Sequence, residues 1–318
     1  MIYAPIKLSP AFKDYLWGGE RLKHDFNKRC DLERVAESWE LSAHKDGQST
    51  VSEGPYAGYT LSEYLDALGK EALGTLAAGY EYFPLLIKLI DAKSDLSVQV
   101  HPSDEYALSH EGEYGKTEMW YVLDCEENAS LFYGFERPVT KEEYAAAIRD
   151  GRLTDILHRV QVKPGDVFFI PAGTVHAIGA GILICEIQQN SNTTYRVYDY
   201  NRRDKDGNLR PLHVEKALEV SCTQPSPPLP AMNDGVDVLL ASCEYFHVRR
   251  LRVSDAYILD VTTDSFVSLV VTGGEGRLIF DGGEMTFVKG DSLFIPAQNG
   301  RITVEGRCEL IHSTVNKA

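Results

Sequence analysis

Two histidines, a carboxylate and an amide stand near the ends of short strand-like runs. In Ser97-Val98-Gln99-Val100-His101-Pro102, Gln99 and His101 are two residues apart, so an extended backbone projects both from one face. In Gly165–His176, read GDVFFIPAGTVH, a turn at Gly165-Asp166 leads into the apolar run Val167–Ile170. The run breaks at Pro171, turns through Gly173 and presents His176 at the start of the next strand. Glu118 opens a further run, Glu118–Leu123, and Glu186 interrupts the otherwise apolar Ile182–Gln188. Nitrogen and oxygen donors without cysteine suit Zn²⁺, Mn²⁺ or Fe²⁺, and ligand type alone does not choose among them.

The elements that must position these groups are mostly β. Residues 1–60 alternate short apolar runs with Gly, Asp and Pro, as in Ala36–Ser42, which is period-two patterning. Trp17-Gly18-Gly19 reads as a turn with an aromatic beside it. Thr60-Leu61-Ser62-Glu63 is a capping box ahead of Tyr64, Leu65 and Leu68, so a small helical segment is expected over about 60–80. Pro84–Ile90 is a continuous apolar run that reads as a buried strand, and Lys88 inside it needs a partner or a polar cavity. Asp91–Leu96 reads as a turn. Ser103 caps one expected helix, Thr140-Lys141-Glu142-Glu143 opens another that Gly151 stops, and His213–Val220 fits a third. Asn190–Arg203, rich in Asn, Thr, Tyr and Arg, has loop composition. Ser221–Asp234 is rich in Pro and Ser and is the best linker in the chain.

Beyond the linker the chain repeats itself. Gly165–Ile178, GDVFFIPAGTVHAI, aligns with Gly290–Thr303, GDSLFIPAQNGRIT, with six identities in fourteen places. Arg301 takes the place of His176 and Gln298 that of Gly173, and the upstream run Val267–Gly276 contains no histidine. The second copy is therefore expected to keep the scaffold and to bind no metal.

Composition bounds the rest. With 318 residues, 43% hydrophobic and 25% charged, the chain is long enough for two domains with sizeable cores. A formal charge of −15 argues against nucleic acid or an anionic membrane as partner, and makes an anionic substrate depend on a locally basic pocket. The six cysteines show no C-x-x-C spacing and no disulfide framework. The start, MIYAPIKLSPAF, does not read as a signal peptide, and no apolar run is long enough for a membrane span, so the cytoplasm is expected.

Together these motifs resemble a known family. Gly165, Pro171, Gly173 and His176 fit the second cupin signature, although Ala180 stands where Asn is usual. The first cupin signature, His-x-His, is present as Gln99-Val100-His101, with Glu118 far downstream. That modification is similar to the type I phosphomannose isomerases in their short bacterial form. Further matches are Trp17-Gly18-Gly19, Lys88, Lys116-Thr117-Glu118-Met119-Trp120, and the pair Glu186 and Arg196. The resemblance covers nearly the whole chain.

It implies a mainly β fold of two cupin (jelly-roll) β-barrels, with a few short helices inserted in the N-terminal half. Residues 1–222 would form the catalytic metal-binding domain, 223–234 the linker, and 235–318 a metal-free second domain. It also implies one zinc ion on His101, Glu118 and His176, with Gln99 as fourth ligand, and interconversion of mannose 6-phosphate and fructose 6-phosphate. An aldose–ketose isomerisation needs a base at the C1–C2 edge and positive groups around the oxygens of an enediol. Glu186 is the expected base, because it shares the barrel lining with the metal. Arg196 matches the family's essential arginine, and its planar, permanently charged fork suits an enediolate. Lys116 and Lys88 are the next cations. Ser97, Arg202 and Arg203 are offered to the phosphate. Two other readings fit the same donors: a metal-dependent cupin oxygenase, or a non-enzymatic sugar-binding cupin. The expected partner is a small sugar phosphate, on a monomer or weak homodimer.

Overall fold

The computed structural model describes residues 3–203, 207–231 and 233–316, and packs them into two units. The first gathers Met1–Lys13, Glu20–Leu89 and Met232–Ala318; the second gathers Asp14–Gly19 and Ile90–Ala231. No helix of the described residues is long and apolar enough to cross a membrane.

The first unit is built on an antiparallel sheet. Its strands lie in the order Asp237–Ser242, His247–Val253, Gly300–Thr314, Val267–Phe280, Ser292–Ile295, Ile6–Ser9, Thr50–Val51. Strands Ala256–Val261 and Gly283–Val288 branch off onto Gly300–Thr314 and Val267–Phe280. Alternating apolar residues from these strands, among them Leu269, Val271, Leu293, Ile295, Ile302 and Leu310, form one buried cluster. Ser292–Ile295 would otherwise be an edge with unpaired backbone groups. The N-terminal strand covers it, with Ile6 opposite Phe294 and Leu8 opposite Ser292. Packing therefore groups the chain differently from a single cut at 223–234: residues 1–13 and 20–89 go with the segment after the linker.

The internal repeat is visible in the backbone. Gly165 and Gly290 adopt nearly the same left-handed conformation, at φ 92° and 95°. Gln298 keeps φ 65° where its counterpart Gly173 has 89°, so the turn persists without a glycine. Arg301, in the place of His176, is exposed and pairs with Asp260 at 3.3 Å.

The second unit has two sets of strands. One sheet runs Leu157–Gln161, Ser130–Phe135, His176–Ala177, Val98–Val100, Tyr195–Tyr198. The other set runs Val167–Ile170, Glu118–Cys125, Ile182–Gln189. On the outer face of the five-stranded sheet, Val98, Val100, Phe132, Ala177 and Tyr195 pack with Tyr144 and Ala217 from the helices Lys141–Arg149 and Val214–Val220. The inner face is left to the polar donors.

Several sequence expectations hold and some change. The Thr60 capping box forms, with Glu63 N–H donating to Thr60 and Thr60 N–H to the Glu63 carboxylate. Its helix covers only Leu61–Leu68, because Gly69 and Gly74 turn left-handed and leave two short 3₁₀ turns behind them. Thr140 caps Lys141–Arg149, but the Glu143 carboxylate goes to Arg137 instead of closing the box. Ser103 precedes the helix Asp104–His110 without a side-chain cap bond. Asn190–Arg203 is not wholly loop: Tyr195–Tyr198 is a strand, since Tyr195 and Val197 bury on the outer face while Val98–Val100 offers a free edge. The strand Leu85–Ala92 runs into the expected turn, and Arg21–Asp25 is a helix with no clear sequence signal. Ala36–Ser42 contains the strand Glu37–Leu41, but both of its faces are buried. All six cysteines are free thiols.

Candidate metal centre and active site

Cross-strand register in the second unit decides which side chains meet. Across the five-stranded sheet, Tyr133 lies opposite His176, His176 opposite Gln99, and Gln99 opposite Arg196, so these four form one row on the inner face. On the other set of strands Gln188 lies opposite Glu118, and Glu186 opposite Trp120. His101 follows directly after Val98–Val100 and is held there by its own carbonyl, which accepts from Gly173 N–H at 2.8 Å. That bond ties the two histidine segments together at the turn where Gly173 has φ 89°.

His101, Glu118 and His176 come together with one donor atom each, all within 4.8 Å of one another and all buried. His101 Nδ1 is 2.9 Å from the carbonyl of Thr193, and His176 Nδ1 is 2.8 Å from that of Thr174. A carbonyl only accepts, so both rings carry their hydrogen on Nδ1 and turn the Nε2 lone pair inward. Those lone pairs face carboxylate oxygens: His101 Nε2 is 3.6 Å from Glu118 Oε2, and His176 Nε2 is 3.5 Å from Glu118 Oε1. Burial pushes the His176 imidazole down to about 4, so it is neutral at pH 7, as a metal ligand must be. A divalent cation placed among these donors would take both imidazole lone pairs and the carboxylate at once. Tetrahedral ligands about 2.1 Å from zinc stand about 3.4 Å apart, close to the separations seen here. The donor set fits a divalent metal ion.

Around this set the structure brings in most of the other expected residues. Gln99 places its amide 3.4 Å from His176 Nε2. Lys116 is buried with its amine 2.9 Å from Glu118 and 3.8 Å from Glu186, so one ammonium serves two carboxylates. Trp120 donates its indole N–H to Glu186 at 3.0 Å, and its ring meets His176 edge-on at 5.2 Å. Arg196 donates to the carbonyl of Pro211 at 3.1 Å. Its guanidinium is held below its ordinary value, first by burial and then by Arg210. Ser97 is buried just ahead of Val98–Val100. Lys88 belongs to the first unit, buried with its amine 3.6 Å from Glu37 and 5.0 Å from the centre of the Trp39 ring. Arg202 is taken up by Asp199, and Arg203 donates to the carbonyl of Gly207 at 2.6 Å.

Sequence reading missed the groups that hold these residues. Thr193 and Thr174 orient the two imidazoles through backbone carbonyls, which no side-chain pattern reveals. His213 clamps Arg196 from both sides, its Nδ1 accepting from Arg196 N–H at 3.2 Å while its own N–H donates to Arg196 O at 2.8 Å. Asp104 accepts from Gly115 N–H and from the Gln189 amide, whose oxygen accepts from Thr117 N–H at 2.8 Å. This network fixes the approach to Lys116 and Glu118.

The chain is similar in sequence and fold to known proteins. Residues 6–127 match the family model described as phosphomannose isomerase type I, catalytic domain, and residues 237–315 match that of the mannose-6-phosphate isomerase cupin domain. The chain is 43% identical to mannose-6-phosphate isomerase ManA of Bacillus subtilis (strain 168), over 98% of this chain and 99% of that one. It superposes on the crystal structure of the mannose 6-phosphate isomerase from Bacillus subtilis with a TM-score of 0.89 and 38% identity, covering 98% of this chain and 99% of that chain. A mannose 6-phosphate isomerase bound with zinc and yttrium shares the fold at a TM-score of 0.79 and 18% identity, over 99% of this chain and 100% of that one.

Proposed function

The chain belongs to the type I phosphomannose isomerase family, and from that premise we propose that the centre at His101, Glu118 and His176 carries its reaction. This is the metal-dependent interconversion of mannose 6-phosphate and fructose 6-phosphate through an enediol. The observation that carries the site assignment is the placement of Lys116 between Glu118 and Glu186, 2.9 and 3.8 Å away. It brings the proposed ligand Glu118 and the proposed base Glu186 to opposite sides of one ammonium, which places a proton-transfer group beside the metal site. Family membership sets aside the oxygenase and the non-enzymatic sugar-binding readings.

The ion is taken to be zinc, held by His101, Glu118 and His176 with the Gln99 amide as fourth ligand. When bound, it polarises the sugar's carbonyl and adjacent hydroxyl oxygens. Glu186 takes the proton from C2 of the aldose, the C–H electron pair forms the C1–C2 double bond, and O1 gains a proton. Return of the proton to C1 with loss of the O2 proton gives the ketose. Trp120 orients the Glu186 carboxylate for both transfers. Arg196, in the inner row opposite Gln99, stabilises the negative charge that develops on O1 and O2. Lys116 sets one positive charge beside both carboxylates and is offered as a cation for the sugar oxygens.

Lys88 and Ser97 are proposed as substrate contacts on the family resemblance. The division into a catalytic part, 1–222, and a metal-free part, 235–318, is proposed on the loss of donors around Arg301. A cytoplasmic location and a monomer or weak homodimer belong to the same reading, resting on composition and family. The decisive experiment measures fructose 6-phosphate formation from mannose 6-phosphate before chelation, after it, and after zinc is restored. Turnover that is lost and then recovered is expected. Undiminished turnover in fully metal-free protein would overturn the assignment.

A further inference from the structure

The sheet that lines the metal centre carries a second row of side chains on its other face. Arg159 lies opposite Phe132, Phe132 opposite Ala177, and Tyr198 opposite Val98, which neighbours Ala177 across the register set by His176 and Gln99. The row therefore crosses all five strands, offset by one residue from His176. Its middle is the small side chain of Ala177, and its ends are an arginine and a tyrosine. A cavity of about 310 Å³ opens along it, near the lower end of the range for small-molecule sites.

The groups around this hollow are built to recognise something. The Arg159 guanidinium lies over the Phe132 ring at 5.1 Å and has no acidic partner among the described residues. Across from it, the rings of Tyr198 and Tyr200 meet at 4.9 Å and 60°. Tyr200 sits at φ 54°, a left-handed conformation that is strained for a bulky side chain. Arg202 lies over the Tyr200 ring at 5.5 Å. Ser130 and Thr154 add hydroxyls, and the Asp95 carboxylate, also on the lining, accepts from Ala180 N–H at 2.8 Å.

We propose that this hollow on the outer face of the sheet, between Arg159 and the Tyr198–Tyr200 pair, is a second binding site for a sugar-sized polyol bearing one anionic group. A guanidinium held against a ring by cation–π attraction keeps N–H donors that suit a carboxylate or phosphate. Hydroxyls and ring faces suit the polyol. Tyr200 lies on the lining with its ring against that of Tyr198. The site goes beyond the isomerase reading, because none of its lining residues belongs to the metal centre.

Equilibrium dialysis of the zinc-loaded enzyme with glucose 6-phosphate, gluconate and glucose tests it, together with initial isomerase rates. Wild type should bind one more equivalent of at least one of the two anionic probes than Arg159→Ala does, with that site weakened at least roughly tenfold. Phosphate and carboxylate are told apart by which probe shows the difference. KM and kcat for mannose 6-phosphate should be unchanged in the variant. Tyr200→Gly should lose the same equivalent without a lower unfolding midpoint, since glycine relieves the backbone strain. Equal stoichiometry in all three proteins, or glucose binding as tightly as both anions, overturns the proposal. Absence of isomerase activity in wild type would count against the isomerase reading alone.

Discussion

The Trp120 indole donates to Glu186 at 3.0 Å across directly paired strands, so an aromatic of one strand sets the carboxylate of the next. A neutral donor on a buried carboxylate is worth about 1.5–3 kcal/mol. Trp120→Phe keeps the ring against His176 and removes only that bond. It should lower kcat about tenfold or more while metal content stays at the wild-type level, as checked by steady-state kinetics and metal analysis. An unchanged kcat would remove Trp120 from the positioning of the base.

Arg196→Ala tests charge stabilisation. Because Arg196 sits opposite Gln99 without joining the three clustered donors, its loss should spare the ion and cost turnover by orders of magnitude, on the order of 10²–10³. Metal analysis and kcat measured on the same preparation separate the two effects.

His176→Ala removes one of three converging donors and opens a void beside Trp120. Metal and activity should be lost together, and added zinc should not restore either to wild-type levels. Full metal occupancy in this variant would contradict the ligand assignment. Arg301→His, by contrast, should bind no second metal, because its ion-pair neighbour is the exposed Asp260 and the one clustered donor set among the described residues is His101, Glu118 and His176.

His312, buried in the strand Gly300–Thr314 of the first unit, gives a pH signature away from the active site. Burial, followed by the charge of Arg249, pushes its imidazole from 6.5 down to about 4. The unfolded chain therefore binds a proton between those values that the folded chain refuses, and stability falls as the pH drops from 6.5 to 4. Between pH 7 and pH 5 the loss from this one group is about 2 kcal/mol. Urea unfolding at both pH values should show His312→Leu with a smaller difference than wild type by about that amount. An equal difference would show that His312 does not drive the slope.

Much of this was legible in the chain before any coordinates. Residue types at short spacings carry local information: Gln99 and His101 two apart, the Gly165–His176 turn, and the capping residues Thr60 and Thr140 each act through neighbours within a few positions. The repeat of Gly165–Ile178 in Gly290–Thr303 is also a local pattern, and Gln298 shows the backbone retaining it after the glycine is gone. Register and partner choice are not local. That Arg196 faces Gln99, that Tyr195–Tyr198 is a strand at all, and that Ile6–Ser9 closes the sheet beside Ser292–Ile295 depend on which edges are free when the sheets assemble. The same holds for the Thr193 and Thr174 carbonyls and the His213 clamp, since backbone groups leave no mark in side-chain sequence. Sequence determined which donors the chain possesses. Only tertiary pairing, with its two-residue alternation across each strand, decided which of them share one interior and which lie on the opposite face.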